Sequence, residues 1–373
     1  MLNYKVPFVN YKLQYKLHKK EIDKAVINCL TKGDLIMRKD VEKFEASMRK
    51  FFKVKYALGV NSCTDAIFLS LKAIGIKPGD EVITVSHTFL ATIEPIVHCG
   101  ATPVMVDIKE DFTMDEELLE EAITKKTKAI IPVHLNGRMC NMPEIMRLAR
   151  KYKLKVIEDA AQAHGTTWKG KMAGTFGISG CFSFYPAKIL ACAGDGGLIT
   201  TNDDKFAKQI LLLRDHGRNR YVSKDKLFLY GFTSRLHNIQ AAILNVRNKY
   251  IPWSLKRRQE IADRYDKVLQ YLPDVILPEK SDDNQKIVYQ NYVLKAYKRN
   301  ELRKYLTKEG IETLVKDPVP NHWQPACKDL KKYNLPVTER LAEEIISLPM
   351  YPELTDQQAD YVIKCVSNFY ATR

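Results

Sequence analysis

Two ionisable residues stand at the ends of predicted strands and suggest the chemistry of this chain. Asp159 follows the apolar run in KVIEDA (155–160), and Lys188 follows GCFSFYP (180–186). A lysine whose pKa is lowered can form a Schiff base with an aldehyde, and a carboxylate stabilises a protonated ring nitrogen. Together they fit pyridoxal phosphate (PLP) better than any other common cofactor. Taken singly, Asp159 also fits a helix N-cap, and Lys188 a surface lysine.

The residues around this pair are suited to a phosphate and a planar ring. In GVNSCTDAIFLSL (59–71), a turn at residues 61–64 precedes a helix whose first N–H groups can bind an anion. Ser183 offers a hydroxyl, and Phe89 has an aromatic face that can stack on a ring, although core packing is the default explanation for it. Backbone can approach a bound group closely at three glycines, Gly194, Gly196 and Gly197.

A sheet must position these residues. Six apolar runs predict buried strands, at residues 81–86, 102–108, 127–135, 155–160, 180–186 and 196–202. Segments with helical periodicity lie between several of them, at residues 64–75, 115–124 and 142–153. This alternation predicts an α/β fold with a mainly parallel sheet and helices on both faces. Ligands bind at the carboxyl ends of such strands, which is where the polar residues named above fall.

The character of the chain changes after Ala241. A long helical stretch interrupted at Pro252 leads into a mixture of strands and helices, such as QNYVLKAY (290–297) and RNELRKYLTKEG (299–310). We therefore predict a large domain with an N-terminal arm over residues 1–250 and a smaller C-terminal α/β domain over residues 251–373.

Composition narrows the class of protein. The chain has 373 residues, of which 45% are hydrophobic and 28% charged, and no apolar run reaches the about 18 residues of a membrane span. The N-terminus lacks the pattern of a secretion signal. Eight cysteines without a CxxC pair indicate reduced thiols in a cytoplasmic protein and no metal site. The net charge of +15 comes without a recognisable nucleic-acid module, which favours small anionic substrates, or simply a basic proteome, over nucleic-acid binding.

In its motifs, the chain resembles the DegT/DnrJ/EryC1/StrS sugar aminotransferases, PLP enzymes of the aspartate-aminotransferase fold (fold type I). The resemblance covers almost the whole length and rests on segments that include GDLIMRKDVEKFE, NSCTDAI, PVHLNGRMCNM, IEDAAQAHG, CFSFYPAK, GFTSRLHNIQAAIL and SLPMYPELTDQQ. It implies a large domain with a mainly parallel seven-stranded sheet between helices, joined to the smaller C-terminal domain.

The resemblance also implies roles for individual residues. Lys188 would form the Schiff base with PLP and then move a proton between cofactor and substrate carbons, while Asp159 would pair with the pyridine nitrogen. Gln162 would lie beside the ring near its phenolic oxygen, and Phe89 would stack on the ring. The phosphate would be held by three residues, Cys63, Thr64 and Ser183.

Two positions depart from the family's pattern. Thr233 in GFTSRL stands where the family has an Asn that reaches the phosphate in the neighbouring subunit, an arrangement that implies a homodimer with shared active sites. Threonine lacks the amide donor, although its hydroxyl can serve. Cys63 stands where glycine is common, and its β-carbon would tighten the phosphate turn.

The implied reaction moves an amino group, with L-glutamate as the expected donor and a nucleotide-linked keto-sugar as the expected acceptor. Candidate sugar contacts are His134, Asn136, Tyr185, His322 and Trp323. For each histidine, a structural hydrogen bond is an equally good explanation. The nucleotide, the sugar and the aminated carbon are not readable from one sequence.

The sequence leaves three alternative functions to consider. Sugar dehydratases of this family carry histidine at the position of Lys188, so the lysine favours transamination over dehydration. A different PLP reaction on the same fold is a further alternative. A third is a non-catalytic regulator that binds nucleic acid through its basic surface, but such a protein has no need of Asp159 and Lys188.

Overall fold

The computed structural model describes residues 4–219, 222–223 and 225–371. Its α-helices are α1 (Tyr11–Lys32), α2 (Lys39–Phe52), α3 (Cys63–Ala73), α4 (Glu94–His98), α5 (Glu116–Glu121), α6 (Met142–Tyr152), α7 (Asp204–Leu213), α8 (Asn238–Arg247), α9 (Ile251–Leu269), α10 (Arg299–Lys308), α11 (Pro336–Glu344) and α12 (Asp356–Ala371). Its strands are β1 (Tyr56–Val60), β2 (Glu81–Val85), β3 (Thr102–Val106), β4 (Thr127–Ile130), β5 (Lys155–Asp159), β6 (Thr167–Trp168), β7 (Lys171–Met172), β8 (Ser179–Ser183), β9 (Gly197–Thr201), β10 (Val275–Ile276), β11 (Gln285–Lys286), β12 (Tyr292–Ala296) and β13 (Ile345–Leu348).

The main sheet has seven strands in the order β1-β9-β8-β5-β4-β2-β3. The five strands from β8 to β3 pair in parallel, whereas β9 runs antiparallel to both β8 and β1. The α/β fold with a mainly parallel seven-stranded sheet is therefore confirmed. Strand β1 was not predicted, and it extends the sheet by pairing with β9.

Alternation along the strands creates a core on each face of the sheet. On β5, Val156 belongs to the core beneath α2, α6 and α8, while Ile157 belongs to the core beneath α3 and α7. Because successive strand residues point to opposite faces, a strand covered on both sides favours apolar residues at consecutive positions. This explains the continuous apolar runs of the sequence.

A smaller antiparallel sheet, β10-β12-β13, lies in the C-terminal part of the chain. It packs with α9, α10 and α12 around a separate core that contains Tyr265, Tyr292 and Leu302. The chain reaches this part through α8, a short 3-10 turn and α9, and Pro252 lies in the first turn of α9, where a missing N–H costs least. The division at residue 250 stays a prediction.

A third, small sheet connects the two parts of the fold. The three short strands β11, β6 and β7 form a third sheet, which links the segment before β12 to the main domain. Among the described residues, no helix is both long and apolar enough to cross a membrane.

The carboxyl ends of β5 and β8 bring the two reactive residues together. The strands are parallel neighbours in which Asp159 is in register with Cys181, and Lys188 follows β8 after a short turn. The next strand, β9, begins at Gly197, where a β-carbon would lie 2.4 Å from the carbonyl group of Ser62. Glycine at this position lets β9 approach the start of α3 closely.

Candidate active site

A cavity of about 430 Å³ opens at the carboxyl ends of β5 and β8. Its size is that of a site for a small organic ligand. Most of the predicted site residues line it: Cys63, Thr64, Phe89, His134, Asp159, Gln162, Ser183, Tyr185 and Lys188. Tyr185 and Phe89 are largely exposed, with 51% and 63% of their surface accessible, which leaves their rings free to meet a ligand.

The loop that carries Lys188 is fixed on both sides of the lysine. The side chain of Gln290 donates to Ala187 O (2.8 Å) and accepts from the Ile189 amide (3.0 Å). The Lys188 amide also donates to Tyr185 O (2.8 Å). Three hydrogen bonds therefore hold the backbone from which the amine projects.

The surroundings of Lys188 favour its neutral amine. Burial, and next the positive charge of Lys316, lower the pKa of Lys188 from 10.5 to about 8. Asp159 and Asp317 act in the opposite direction but do not outweigh these effects. An amine with a pKa near 8 is neutral in about a tenth of molecules at pH 7, far more than an ordinary lysine, and only the neutral amine is a nucleophile or base.

Asp159 is buried at the end of β5, with 6% of its surface exposed. Thr92 Oγ1 donates to Asp159 Oδ2 (2.7 Å), and the Ala161 amide donates to Oδ1 (3.1 Å). Thr88 Oγ1 lies 2.7 Å from Thr92 Oγ1, so two hydroxyls form a chain that ends on the carboxylate. Cys63 Sγ lies 3.9 Å from Oδ1. A carboxylate has about four acceptor sites, so Asp159 can accept one more strong donor.

The start of α3 forms the anion-binding part of the cavity. Ser62 is the N-cap, and its Oγ accepts from the Asp65 amide (3.0 Å). The amides of Cys63 and Thr64 lie in the first helical turn and have no acceptor within the helix. Ser183, from the end of β8, lines the same part of the cavity. N–H groups, a hydroxyl and the helix dipole thus converge where an anion can bind.

Gln162 belongs to a network of amide side chains. Its Oε1 accepts from the Asn136 amide (2.9 Å) and from Asn291 Nδ2 (3.3 Å). Asn291 Nδ2 also donates to Asn136 Oδ1 (2.9 Å). Asn136 adopts a left-handed conformation (φ 57°) and lies behind the cavity wall, in a neighbouring groove with Arg138. Its role towards the cavity is therefore to hold Gln162.

The ring nitrogens of His134 are both occupied. The Cys140 amide lies 3.3 Å from Nδ1, and Nε2 lies 3.0 Å from Glu158 Oε2. The residue is fully buried, although it contributes to the cavity wall. The neighbouring hydrogen bonds match the structural alternative that the sequence left open for this histidine.

Besides Asn136, three predicted residues lie away from the cavity wall. His322 is fully buried between Ser86 Oγ (2.7 Å) and Glu339 Oε1 (3.0 Å), and the adjacent Trp323 is half-exposed. Thr233 is exposed and its Oγ1 lies 2.9 Å from His216 Nε2. Within one chain, the structure does not bring these residues to Lys188.

Other residues in the wall were missed. Thr92 lies within SHTFLAT (86–92), where its spacing from the strand end was a usable signal. Gln290, Asn291 and Lys316 come from segments beside the smaller sheet, and nothing local in the sequence connects them with β5. The N-terminal arm adds Phe8 and Val9.

Comparison with known proteins agrees with this geometry. The sequence profile of the DegT/DnrJ/EryC1/StrS aminotransferase family matches residues 16–367. The chain belongs to this family. The predicted family is therefore confirmed, and with it the prediction that the protein is an enzyme, an aminotransferase.

The similar proteins carry different names. The chain is 40% identical over 371 residues to a "pleiotropic regulatory protein" of Geobacillus stearothermophilus, covering 98% of each chain. It is 38% identical over 366 residues to the dTDP-3-amino-3,4,6-trideoxy-α-D-glucose transaminase of Streptomyces venezuelae, covering 97% of this chain and 95% of that one. The crystal structure of S. venezuelae DesV in complex with a ketimine intermediate superposes with a TM-score of 0.94 at 38% identity, covering 98% of both chains.

Proposed function

We propose that this aminotransferase uses PLP held by Lys188 to transfer an amino group from L-glutamate to the keto group of a nucleotide-linked sugar. The observation that carries the proposal is that the Lys188 amine, with its lowered pKa, and the Asp159 carboxylate line one cavity at the ends of adjacent strands. The Streptomyces relative, named as a transaminase of a dTDP-linked sugar, supports the choice of substrate.

The residues fit PLP in three separate respects. An amine with a pKa of about 8 suits the aldehyde. Asp159 retains an acceptor position for a protonated ring nitrogen. The N-terminus of α3 with Ser183 supplies donors for the phosphate. When bound, PLP supplies an electron sink that makes the hydrogen on the carbon next to the nitrogen acidic.

Lys188 acts as the attachment point and as the base. Once the amino donor has taken its place, the free Nζ would accept the proton from the carbon that bears the donor nitrogen and would deliver it to the carbon on the other side of that nitrogen. The brace from Gln290 to Ala187 and Ile189 keeps the amine within reach while it moves the proton. The same amine works in reverse when the keto-sugar receives the amino group.

Asp159 would keep a ring nitrogen of the bound cofactor protonated by holding a negative charge beside it. Thr92 and the Ala161 amide stabilise that charge and fix the direction of the carboxylate. Phe89 would cover the ring, Gln162 would lie beside it, and the first turn of α3 would hold the phosphate. These contacts together would hold the cofactor beside Lys188.

The proposal is tested by spectroscopy and by product analysis. Protein supplied with PLP should absorb visible light through its bond to Lys188, and L-glutamate should bleach that band. Lys188→Ala should abolish both, whereas Lys208→Ala, on the exposed face of α7, should leave both unchanged. Turnover without an aminated sugar would indicate a different PLP reaction, and salt-sensitive nucleic-acid binding without bleaching would indicate a regulator.

The substrate is found by loading the protein with pyridoxamine phosphate and adding nucleotide-linked keto-sugars one at a time. The true acceptor should restore the visible band and yield an amino sugar. A sugar that binds without restoring the band is not the acceptor. The matched Lys188→Ala protein should give no response with any sugar.

We also propose a homodimer in which Thr233 contributes to the partner's site. The loop that carries Thr233 exposes several apolar side chains, Val222, Leu227, Phe228 and Tyr230, the last of them fully exposed. A cluster of this kind marks an interaction surface. Tyr230→Asp should convert the dimer to a monomer in sedimentation and weaken PLP binding, whereas the exposed control Tyr271→Asp should not.

A further inference from the structure

Lys316 enters the active-site cavity on a segment that is fixed at both ends. At one end, Leu314 exchanges two backbone hydrogen bonds with Ser347 of β13 (3.2 and 2.7 Å). At the other, the side chain of Asn321 donates to Ser86 O (3.0 Å) and Thr88 O (2.5 Å), just beyond β2. The lysine is therefore held between the smaller sheet and the carboxyl end of the main sheet.

The ammonium group of Lys316 has little to bind. Only 18% of its side chain is exposed, and its one acidic partner among the described residues is Asp317, with Nζ 3.5 Å from Oδ2. This is longer than a normal N–H···O hydrogen bond. The nearest ring is Phe89, whose centroid lies 5.7 Å from Nζ. A largely buried ammonium whose one ion-pair partner lies at 3.5 Å keeps N–H donors that a further anion in the cavity can use.

The position of Lys316 is also electrostatically linked to the reactive lysine. Both line the same cavity, and the charge of Lys316 contributes to the lowered pKa of Lys188. An anion bound beside Lys316 would therefore be attracted by the positive charge of both lysines when they are protonated. Substrates of the proposed reaction carry such groups.

We propose that Lys316 binds an anionic group of a substrate, a carboxylate or a phosphate, in the active-site cavity. The inference rests on the proposed function, since it assumes that the cavity receives substrate. Lysine suits this role because its compact ammonium offers three donors to an oxygen anion. Two sources share this chemistry: the carboxylate of the amino donor and the diphosphate of a nucleotide-linked sugar.

The test compares Lys316→Gln with a matched control. Lys298→Gln removes an exposed lysine that lies over the Tyr297 ring (5.4 Å) and outside the cavity. Calorimetry on the PLP-treated proteins measures binding of glutarate, uridine diphosphate and thymidine diphosphate. Loss of about tenfold or more in affinity is expected for one class of probe in Lys316→Gln, with no change in Lys298→Gln.

Each result has one meaning. Weaker glutarate binding alone assigns the donor carboxylate to Lys316, and weaker diphosphate binding alone assigns the nucleotide-linked sugar. Affinities within twofold of wild type for all probes would overturn the inference, as would a wild type that binds none of them.

The visible band of bound PLP separates the two proposals. If Lys316→Gln and wild type both show the band but bind the probes equally, the role of Lys316 is wrong and the proposed function stands. If wild type itself never develops the band, the proposed function is wrong, whatever the probes show.

Discussion

Two carboxylates that are neighbours on β5 face opposite sides of the sheet and have opposite surroundings. Glu158 is fully buried and accepts from the amides of Gly174 (2.8 Å), Phe176 (2.6 Å) and Gly177 (2.8 Å), while His134 Nε2 lies 3.0 Å away. Asp159 accepts strong hydrogen bonds only from Thr92 and the Ala161 amide among the described residues, and it lines the cavity.

The difference lies in how many acceptor sites remain. The four donors around Glu158 fill the sites that a carboxylate has, so this residue can only hold the 174–177 turn and His134 in place. Asp159 keeps part of its hydrogen-bond acceptor capacity free, and this part faces the cavity. A buried charge that is satisfied by protein stabilises the fold, whereas one that is left partly open is available to a ligand.

The largest effect is expected at the open carboxylate. Asp159→Asn should lower the transamination rate by roughly 10²–10⁴-fold, because the neutral amide cannot hold the ring nitrogen protonated. The free energy of unfolding should fall by about 1–2 kcal/mol, since the amide oxygen still accepts from Thr92 while the NH₂ group faces one backbone donor, the Ala161 amide. Stopped-flow bleaching with L-glutamate and urea unfolding measure the two quantities. A large loss of stability with normal bleaching would remove the contrast with Glu158.

The closed carboxylate should behave in the opposite way. Glu158→Gln places an NH₂ group against backbone donors and should lower the free energy of unfolding by about 2–4 kcal/mol. Activity per folded molecule should stay within about threefold of wild type. Glu121→Gln, on exposed α5, is the control and should shift stability by less than about 0.5 kcal/mol. Normal stability of Glu158→Gln would show that its hydrogen bonds carry little net energy.

The lowered pKa of Lys188, which lines the same cavity as Asp159, should be measurable from the rate of PLP attachment. With a pKa of about 8 for Lys188, the rate at which PLP attaches to the cofactor-free protein should rise up to about pH 8 and then level off. The reason is that only the neutral amine reacts. A rate that climbs steadily towards pH 10.5 would contradict this. Because the charge of Lys316 lowers the pKa, Lys316→Met should move the midpoint to higher pH.

The smallest effect is expected at Thr92, which is hydrogen-bonded to the Asp159 carboxylate. Thr92→Val keeps the side-chain shape but removes the hydroxyl that donates to Asp159 Oδ2 (2.7 Å). The rate should fall by about tenfold, and the visible band of bound PLP should shift its pH dependence. Thr92→Ser, which restores the hydroxyl, should recover most of the rate. Failure of serine to recover it would indicate that the methyl group, and not the hydroxyl, matters.

The strands that carry this contrast were predictable, because strands covered on both faces are mostly apolar, as residues 156–157 of β5 and 181–182 of β8 are. Lys188 and Asp159 followed from their places at strand ends. The hydrogen bonds made by the side chains next to them did not follow from the sequence. Nothing in the sequence tells that Glu158 is satisfied by the turn at residues 174–177, since that pairing depends on tertiary packing.

The places of residues from the C-terminal part likewise depend on tertiary packing and could not be predicted from the sequence. Lys316 stands among polar and proline residues in VKDPVP, a pattern typical of a surface loop. It is held at the cavity because Leu314 is bound to β13 and Asn321 to the loop that follows β2. His322 was predicted to contact sugar for its residue type, and the structure places it in a buried hydrogen-bond chain from Ser86 to Glu339.

The brace made by Gln290 has a mechanical consequence. This one side chain grips the peptide groups on both sides of Lys188, and two residues later the chain enters β12 of the smaller sheet. Any rotation of that sheet against the main one would therefore displace the loop that carries Lys188. Such a motion would change the position of the Lys188 amine even when no substrate is bound.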